Sequence, residues 1–531
     1  MHLTTAFSAA RKGFGLTAAA TGLATTGLAA TGTAMALALT LAAGLGADPA
    51  AAQVKGGVLR VALETDVRGF DTVEGGVFGQ TGEIVARTIE EPLIGWNPDT
   101  NEPEPLLAVS WEASEDQKTW TFKLREGVKY HDGSDFTAED VAKHYNRILD
   151  PAMKSRSRTF IATIQNVEVI DDLTVAFHLE HPWQALLPYL ATTSMSGPIP
   201  ASEAVEAGTQ NRHPIGTGPF RFVSWTSGDR IVVERFEDYW NKDEIHLDGV
   251  EFRILPDTQT RFASLKSGEV DVMWTDRGPS IVQAKEDDSL VTLSTEGAGS
   301  AINLVNTRNA PLDDIRVRQA IAHAWNQDAL VKISWQNTRP SVTHPLGAVK
   351  DCGDAGYLAY DPKKAKELVA DYGEPIRISM IHTATPRGRE LGELMQQMLK
   401  QVGIELTLEP VDQSTLVSRT FKRDFDLTGW RIADGADMGP QMFALTRSDS
   451  SYNLTGWSSP EMDEVALAMR TALTMEERLD KQCEMAELIN QSGSMHYRGG
   501  GRYHAFTTPE VKNVPAPYRG VVDVTRAWIE E

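Results

Sequence analysis

A mixed α/β fold built from more than one domain is what this sequence predicts, on three observations. The chain has 531 residues, more than a single hydrophobic core accommodates. Short alternating strands mark its first half, and from about residue 301 helical and strand periods alternate, the pattern of a mixed or largely parallel sheet. Beyond one N-terminal stretch, no segment approaches ~18 uncharged apolar residues, so the rest is expected to fold in water.

That N-terminal stretch stands apart. Arg11 and Lys12 are its only Lys or Arg residues before Lys55, and residues 13–46 carry no charge. Ala50, Ala51 and Ala52 then place small residues ahead of Gln53. A basic start, an apolar middle and a small-residue end describe an export signal over 1–52, longer than the usual ~15–30 residues. No Cys follows it, so no lipid-anchor site is read, and the mature chain is expected free in the periplasm of a Gram-negative bacterium. In that oxidising compartment Cys352 and Cys483 are a candidate disulfide; a buried free thiol in a helical pattern is the alternative. The formal charge of −22 argues against nucleic acid or an anionic membrane surface as partner.

The elements follow in order. Leu59, Val61 and Leu63 alternate with Val58, Arg60, Ala62 and Glu64 as a strand; a Gly-rich loop over 66–82 leads to a helix over 83–90. Trp120, Phe122 and Leu124 mark a strand with one buried face. Asp132-Gly133 is a turn, and Thr137 with Asp140 forms a capping box for the helix through Val141 and Ile148. A hairpin turns at Asp171-Asp172. Val250, Phe252 and Ile254 form a strand, 257–267 a helix ended by Gly268, and Val270 with Val272 the next strand. Asp313-Asp314 caps a helix with Val317, Ile321 and Trp325 inward. Leu391, Met395 and Leu399 keep helical spacing, Ile404, Leu406 and Leu408 alternate, and Ser459-Pro460 opens a further helix.

Several of these stretches also carry a pattern. GGVLRVALETDVRGFDT from Gly56 and RTIEEPLIGWNPDTNEPEPLLAVSWEASEDQKTWTFKLREGVKYHDGSDFTAEDV from Arg87 come first. They are followed by PIGTGPF from Pro214, GVEFRILPDTQTRFASLKSGEVD from Gly249 and NLVNTRNAPLDDIRVRQAIAHAWNQDAL from Asn303. YDPKKA from Tyr360 and NLTGWSSPEMD from Asn453 complete the series. In this order, over nearly all of the mature chain, they resemble the extracytoplasmic solute-binding proteins of peptide-type ABC importers, family 5. The resemblance implies an α/β, two-lobed periplasmic-binding-protein fold with an extra inserted subdomain (class C type), hinged. It implies a base of lobe one from 53–92, 213–302 and 508–531, an insert over 93–212 and lobe two over 303–507. Hinges are expected near 301–306 and 506–510. The implied function is a monomeric periplasmic receptor that captures a small peptide or peptide-like solute and delivers it to the ABC permease subunits, without cofactor, metal or chemistry. A ligand sensor or chaperone on the same fold, or import of a non-peptide solute such as an amino-acid conjugate, is the alternative.

A closing trap needs polar groups aimed into a crevice that dries on closure, each buried charge meeting an opposite one. The loop with Gly75, Gly76 and Phe78 is one candidate: glycines let backbone N–H groups approach a ligand, and Phe78 would cover an apolar part. In peptide-binding relatives a Gly-Trp followed by an Asp holds the ligand's ammonium. Gly429, Trp430 and Arg431 lead here to Asp434, one residue displaced, with Asp437 as the other choice. Dipeptide-type relatives place an Arg ahead of a helix to pair with the ligand carboxylate; His382 stands there, and Arg387 is near but displaced. Trp274, Asn453 and Trp457 are further lining candidates. Arg498 to His504, with three glycines, reads as a basic flexible loop suited to an anionic ligand group or to solvent. Glu90-Glu91 and Glu286 to Asp288 read as solvated surface. No HExxH, G-x-S-x-G, Walker or dinucleotide motif occurs in the mature chain, which argues against an enzyme.

Overall fold

The computed structural model describes residues 55–530 apart from 75, 76, 78, 98, 99, 101, 193–196, 348 and 433–436. The expected export segment and the candidates Gly75, Gly76, Phe78 and Asp434 lie outside the described residues. Among the described residues no helix is long and apolar enough to cross a membrane.

Local chemistry starts the helices where the sequence signals them. Asp140 accepts the backbone N–H of Thr137 at 3.0 Å and closes the capping box of helix Ala138–Leu149. Asp257, Asp314 and Ser459 cap helices Thr258–Lys266, Ile315–Ala324 and Pro460–Thr471 through their side chains. Gly493, at a left-handed φ of 63°, ends Met475–Ser492. The helix expected over 83–90 runs from Gln80 to Ile89.

A ten-stranded sheet organises the chain. Its spatial order is Ile404–Val411, Ile376–Thr383, Leu427–Ile432, Val291–Val305, Met495–Thr507, Val272–Trp274, Val58–Leu63, Gly249–Ile254, Arg230–Arg235 and Phe220–Thr226. Strand 58–63 lies parallel to both neighbours, and helix Thr258–Lys266 makes the crossover between them. At the other end, 376–383 lies parallel to 404–411, with helix Pro386–Gln401 as the connection. The two ends are lobes, each with its own core. Leu59, Phe220, Phe252, Val522 and Ala527 share one, and Trp325, Met395 and Leu427 belong to the other end, which also holds a second cluster around Met442, Met462 and Met485. A separate four-stranded antiparallel sheet, in the order Ala108–Ala113, Thr119–Leu124, Thr174–Leu179 and Ile164–Asp171, packs Phe122 and Phe177 against Tyr145 of helix 138–149.

Two long strands, 291–305 and 495–507, run between the lobes. They pair antiparallel along their length, with register breaks at Gly297/Ser300 and Ala301/Ile302. Toward one end 495–507 also pairs with 272–274; toward the other 291–305 also pairs with 427–432. The run from Arg498 to His504 is therefore strand, not the flexible loop its glycines suggest. A Cβ on Gly501 would stand 2.3 Å from the Ala298 carbonyl oxygen, so the close pass of the two backbones at the break excludes a side chain. The second register break, Ala301/Ile302, falls inside the expected hinge over 301–306, with regular pairing from Ile302 to Leu304; the first, Gly297/Ser300, lies ahead of it.

Cys352 and Cys483 form a disulfide with Cα atoms 5.4 Å apart, joining the loop around residue 352 to helix 475–492. It closes a separation of 131 residues, for which chain entropy gives about 4–5 kcal/mol.

The loop after the first strand is held rigidly where it is described. Asp66 accepts Trp225 Nε1 at 2.9 Å and the Gly228 amide at 2.8 Å. Asp71, buried, takes a two-pronged ion pair from Arg147 at 3.0 and 2.8 Å.

Glu90 and Glu91 are buried rather than surface residues, because the end of helix 80–89 tucks beneath the segment from Gln210 to Trp240. Glu91 accepts Tyr239 Oη at 2.7 Å, Thr217 Oγ1 at 3.0 Å and Trp240 Nε1 at 3.1 Å. Burial raises its carboxyl to about 7 despite these donors. A folded pKa above the unfolded one means this group's contribution is full at and below about pH 4.5 and is lost as pH climbs toward 7. Glu91→Gln is expected to flatten the fall of unfolding free energy over that window, by up to about 3 kcal/mol, as read by denaturant titration at a series of pH values. An unchanged slope would show that Glu91 does not titrate there.

Candidate functional site

The crevice between the lobes is bounded by chain ends that the sheet brings together. Strand 272–274 delivers Asp276 from its carboxyl end, just before helix Gly278–Lys285. On the facing lobe, strand 376–383 runs into helix 386–401, whose first turn carries Arg387. Both follow the carboxyl ends of parallel strands, where open α/β sheets place ligand sites.

Asp276 is the carboxylate at the centre. Its Oδ2 accepts a short hydrogen bond from Arg387 Nη1, and Arg339 Nη2 lies 3.5 Å away. Both guanidiniums stack on the ring of Trp335, each Cζ 4.5 Å from its centroid. Burial alone would raise the Asp276 carboxyl, but the Arg387 and Arg339 charges outweigh it and hold it well below the usual range. Gly278 lies against the Trp335 backbone, so the two lobes touch here through backbone as well as charge. A cavity of about 10 Å³, room for one water, is lined by Asp276, Arg277, Trp335, Arg387 and Glu390.

Arg498 joins this cluster from strand 495–507. Its Nη2 donates to the Trp430 carbonyl at 3.1 Å, and Gly429 leaves room for the guanidinium. Burial, with Arg387 and Arg339 nearby, pushes it down to about 9. Arg431 is exposed at the end of strand 427–432, and its charge reaches Arg339. Unpartnered buried polar atoms collect here: Asp276 Oδ1, Arg339 Nε, Arg498 Nε, Trp274 Nε1 and Trp335 Nε1.

A larger cavity of about 310 Å³ lies where the 66–74 loop meets the inserted subdomain, lined by Arg68, Val73, Glu74, Lys154, Arg156 and Asn211. Arg156 reaches across to the ring of Phe421, 4.8 Å from its centroid. Further contacts bridge the crevice: Arg470 Nη2 donates to Thr163 Oγ1 at 2.8 Å, and the rings of Phe160 and Tyr452 meet edge-on.

The structure gathers some of the expected residues and not others. Arg387 is in the cluster, Trp274 stands two residues from Asp276, and Trp430 and Arg431 flank Arg498. His382 is buried, its ring against Gly392 and its Nδ1 2.9 Å from the Thr383 carbonyl. Asp437 is sealed inside lobe two, accepting Arg478 Nε in a short ion pair, Gln482 Nε2 at 2.7 Å and the Gly439 amide at 2.7 Å. Asn453 braces its own loop through the Trp457 carbonyl at 2.7 Å and the Gly456 amide at 3.0 Å, and Trp457 packs on the lobe-two core. These four side chains are engaged in internal packing. Asp276, Trp335 and Arg339 were not foreseen: Asp276 lies far in sequence from the other two, and none sits in a motif. Among the described residues no group of three or more His, Cys, Asp or Glu side chains is placed to hold a metal ion.

Residues 102–453 match the family described as bacterial extracellular solute-binding proteins, family 5 Middle. The glutathione-binding protein GsiB of Pectobacterium atrosepticum is 30% identical over 417 residues, 75% of this chain and 80% of that protein. The dipeptide-binding protein of Escherichia coli is 28% identical over 417 residues, 71% of this chain and 77% of that one. Among solved structures, the periplasmic binding protein DppA of Helicobacter pylori, in complex with the peptide STSA, superposes with a TM-score of 0.80 at 24% identity. It covers 90% of this chain and 99% of its own.

With both oxygens of Asp437 occupied inside lobe two, Asp437→Asn is expected to cost about 3–5 kcal/mol of stability by stranding Arg478. Denaturant titration reads this; a loss of solute affinity with unchanged stability would return Asp437 to the ligand site.

Proposed function

The chain belongs to family 5 of the bacterial extracellular solute-binding proteins, the substrate-binding receptors of ABC importers, and we propose that it captures a peptide or peptide-like solute by hinged closure of its two lobes. It acts in the periplasm after removal of 1–52 and hands the solute, chemically unaltered, to its permease. Lobe one comprises 53–92, 213–302 and 508–531 with the insert 93–212, and lobe two comprises 303–507; the membership of the cores supports this division. Bending is expected at 297–300 and 499–501, where register breaks and glycines loosen the two long strands that, among the described residues, are shared by both lobes.

The observation that carries the reading is the set of contacts across the crevice. Asp276 pairs with Arg387, Gly278 abuts Trp335 and Arg470 reaches Thr163, so the lobes are closed on one another. The relatives bind glutathione and dipeptides, which makes these the first probes.

Calorimetry with glutathione and a dipeptide panel, followed by mass spectrometry of the recovered solute, tests the function. Saturable binding with the solute returned intact is expected; a changed product would sink the receptor reading. A second outcome tests closure. A Cβ at residue 278 would stand 2.5 Å from the Trp335 carbonyl group. Gly278→Val should therefore weaken binding by about tenfold or more and enlarge the radius of gyration of the solute-loaded protein, with little effect on melting temperature. Scattering profiles identical to the parent's would argue against closure at this contact.

A further inference from the structure

The crevice holds more positive charge than its own acids neutralise. Five guanidiniums share one field: Arg277, Arg339 and Arg387 around Asp276, with Arg431 and Arg498 beside them. Three carboxylates are at hand among the described residues. Asp276 is taken by Arg387 and Arg339. Glu64 lies 3.6 Å from the buried Arg261, and Glu390 accepts Ser334 Oγ at 2.6 Å. Arg261 also donates to the carbonyls of Leu255 and Pro256 at 2.6 and 2.9 Å, and Glu64 faces Arg387 and Arg277 as well, so even with all three carboxylates counted the guanidiniums are in excess.

Arg339 and Arg498 are the exposed side of this imbalance. Arg339 is 9% accessible, keeps an unpartnered Nε, and meets Asp276, its only acid among the described residues, at 3.5 Å. Among the described residues Arg498 has no carboxylate partner: a carbonyl contact holds it, and its Nε is unsatisfied. Placing like charges side by side in a crevice that excludes water is unfavourable unless an anion joins them. A guanidinium fork takes a carboxylate through two parallel N–H bonds, and the stacking of Arg339 and Arg387 on Trp335 holds two such forks in fixed planes.

Resting on the receptor reading above, we infer that the captured solute carries at least two carboxylate groups, held by Arg339 and Arg498 together with Arg387 and the exposed Arg431. Asp276 then acts as lobe one's own carboxylate in the same cluster. It latches the closed form while leaving the remaining guanidiniums to the solute. A solute with a single carboxylate matches one fork and leaves the other charge stranded, so the site discriminates by charge number.

Paired probes of closely similar shape test this, on protein stripped of co-purified solute: Glu-Glu, with three carboxylates, against the net-neutral Gln-Gln, with one, and glutathione, with two, against its net-neutral glycyl monoester, with one. The expected result is that the acid of at least one pair binds about tenfold or more tightly than its neutral counterpart. Arg498→Gln should shrink that difference severalfold, because Arg339, Arg387 and Arg431 remain to hold one carboxylate. Because the paired comparison is made on the parent protein, it stands even if the variant does not fold. Neutral probes that bind as well as the acids would overturn the inference and leave the receptor reading intact. Failure of every acid and neutral probe to bind the folded, stripped protein would overturn both.

Discussion

Two strands carry everything that passes between the lobes within the sheet. Because 291–305 and 495–507 pair with each other and also with neighbours in opposite lobes, the crevice has a fixed axis. Residues on its two walls can meet only along one line of approach. That constraint explains why a few side chains decide the contact. Asp276 arrives at the end of one strand, Arg387 on the first turn of a helix across from it, and Arg498 on a shared strand itself. None of these positions is free to wander, so their charges are held in place before any solute arrives.

The electrostatics then follow from burial. A surface cluster of arginines would be screened by water and salt and would ask for little. Here Trp335 supplies a flat apolar floor, Gly278 brings the opposite backbone against it, and the guanidiniums lose water. Burial, with Arg387 and Arg339 beside it, depresses Arg498, and the charges of Arg387 and Arg339 hold the Asp276 carboxyl ionised against its own burial.

Much of the architecture was legible in the sequence, because caps and periodicity are local. Thr137 with Asp140, Asp314 and Ser459 announce their helices within four residues. The family pattern supplied the lobes. The misreadings have one cause, namely partners distant in sequence. Glu90 and Glu91 read as surface because Gln210, Thr217 and Tyr239, which bury them, lie more than a hundred residues on. The Arg498 stretch read as a loop because three glycines lack strand propensity, yet two neighbouring strands impose a ladder on it. The arginine cluster was legible at Arg387 and Arg431 and in outline at Arg498. Residues 276, 339, 387 and 498 become one site only after folding.

The cross-link between Cys352 and Cys483 gains meaning from where it is absent. Both sulfurs belong to the lobe-two body, and both cysteines of the chain are consumed in the bridge. No disulfide therefore spans the crevice. The staple toughens one jaw against unravelling while leaving the bite unimpeded. Oxidation would govern how long the receptor survives outside the cell's reducing interior, and would be silent on how wide it gapes.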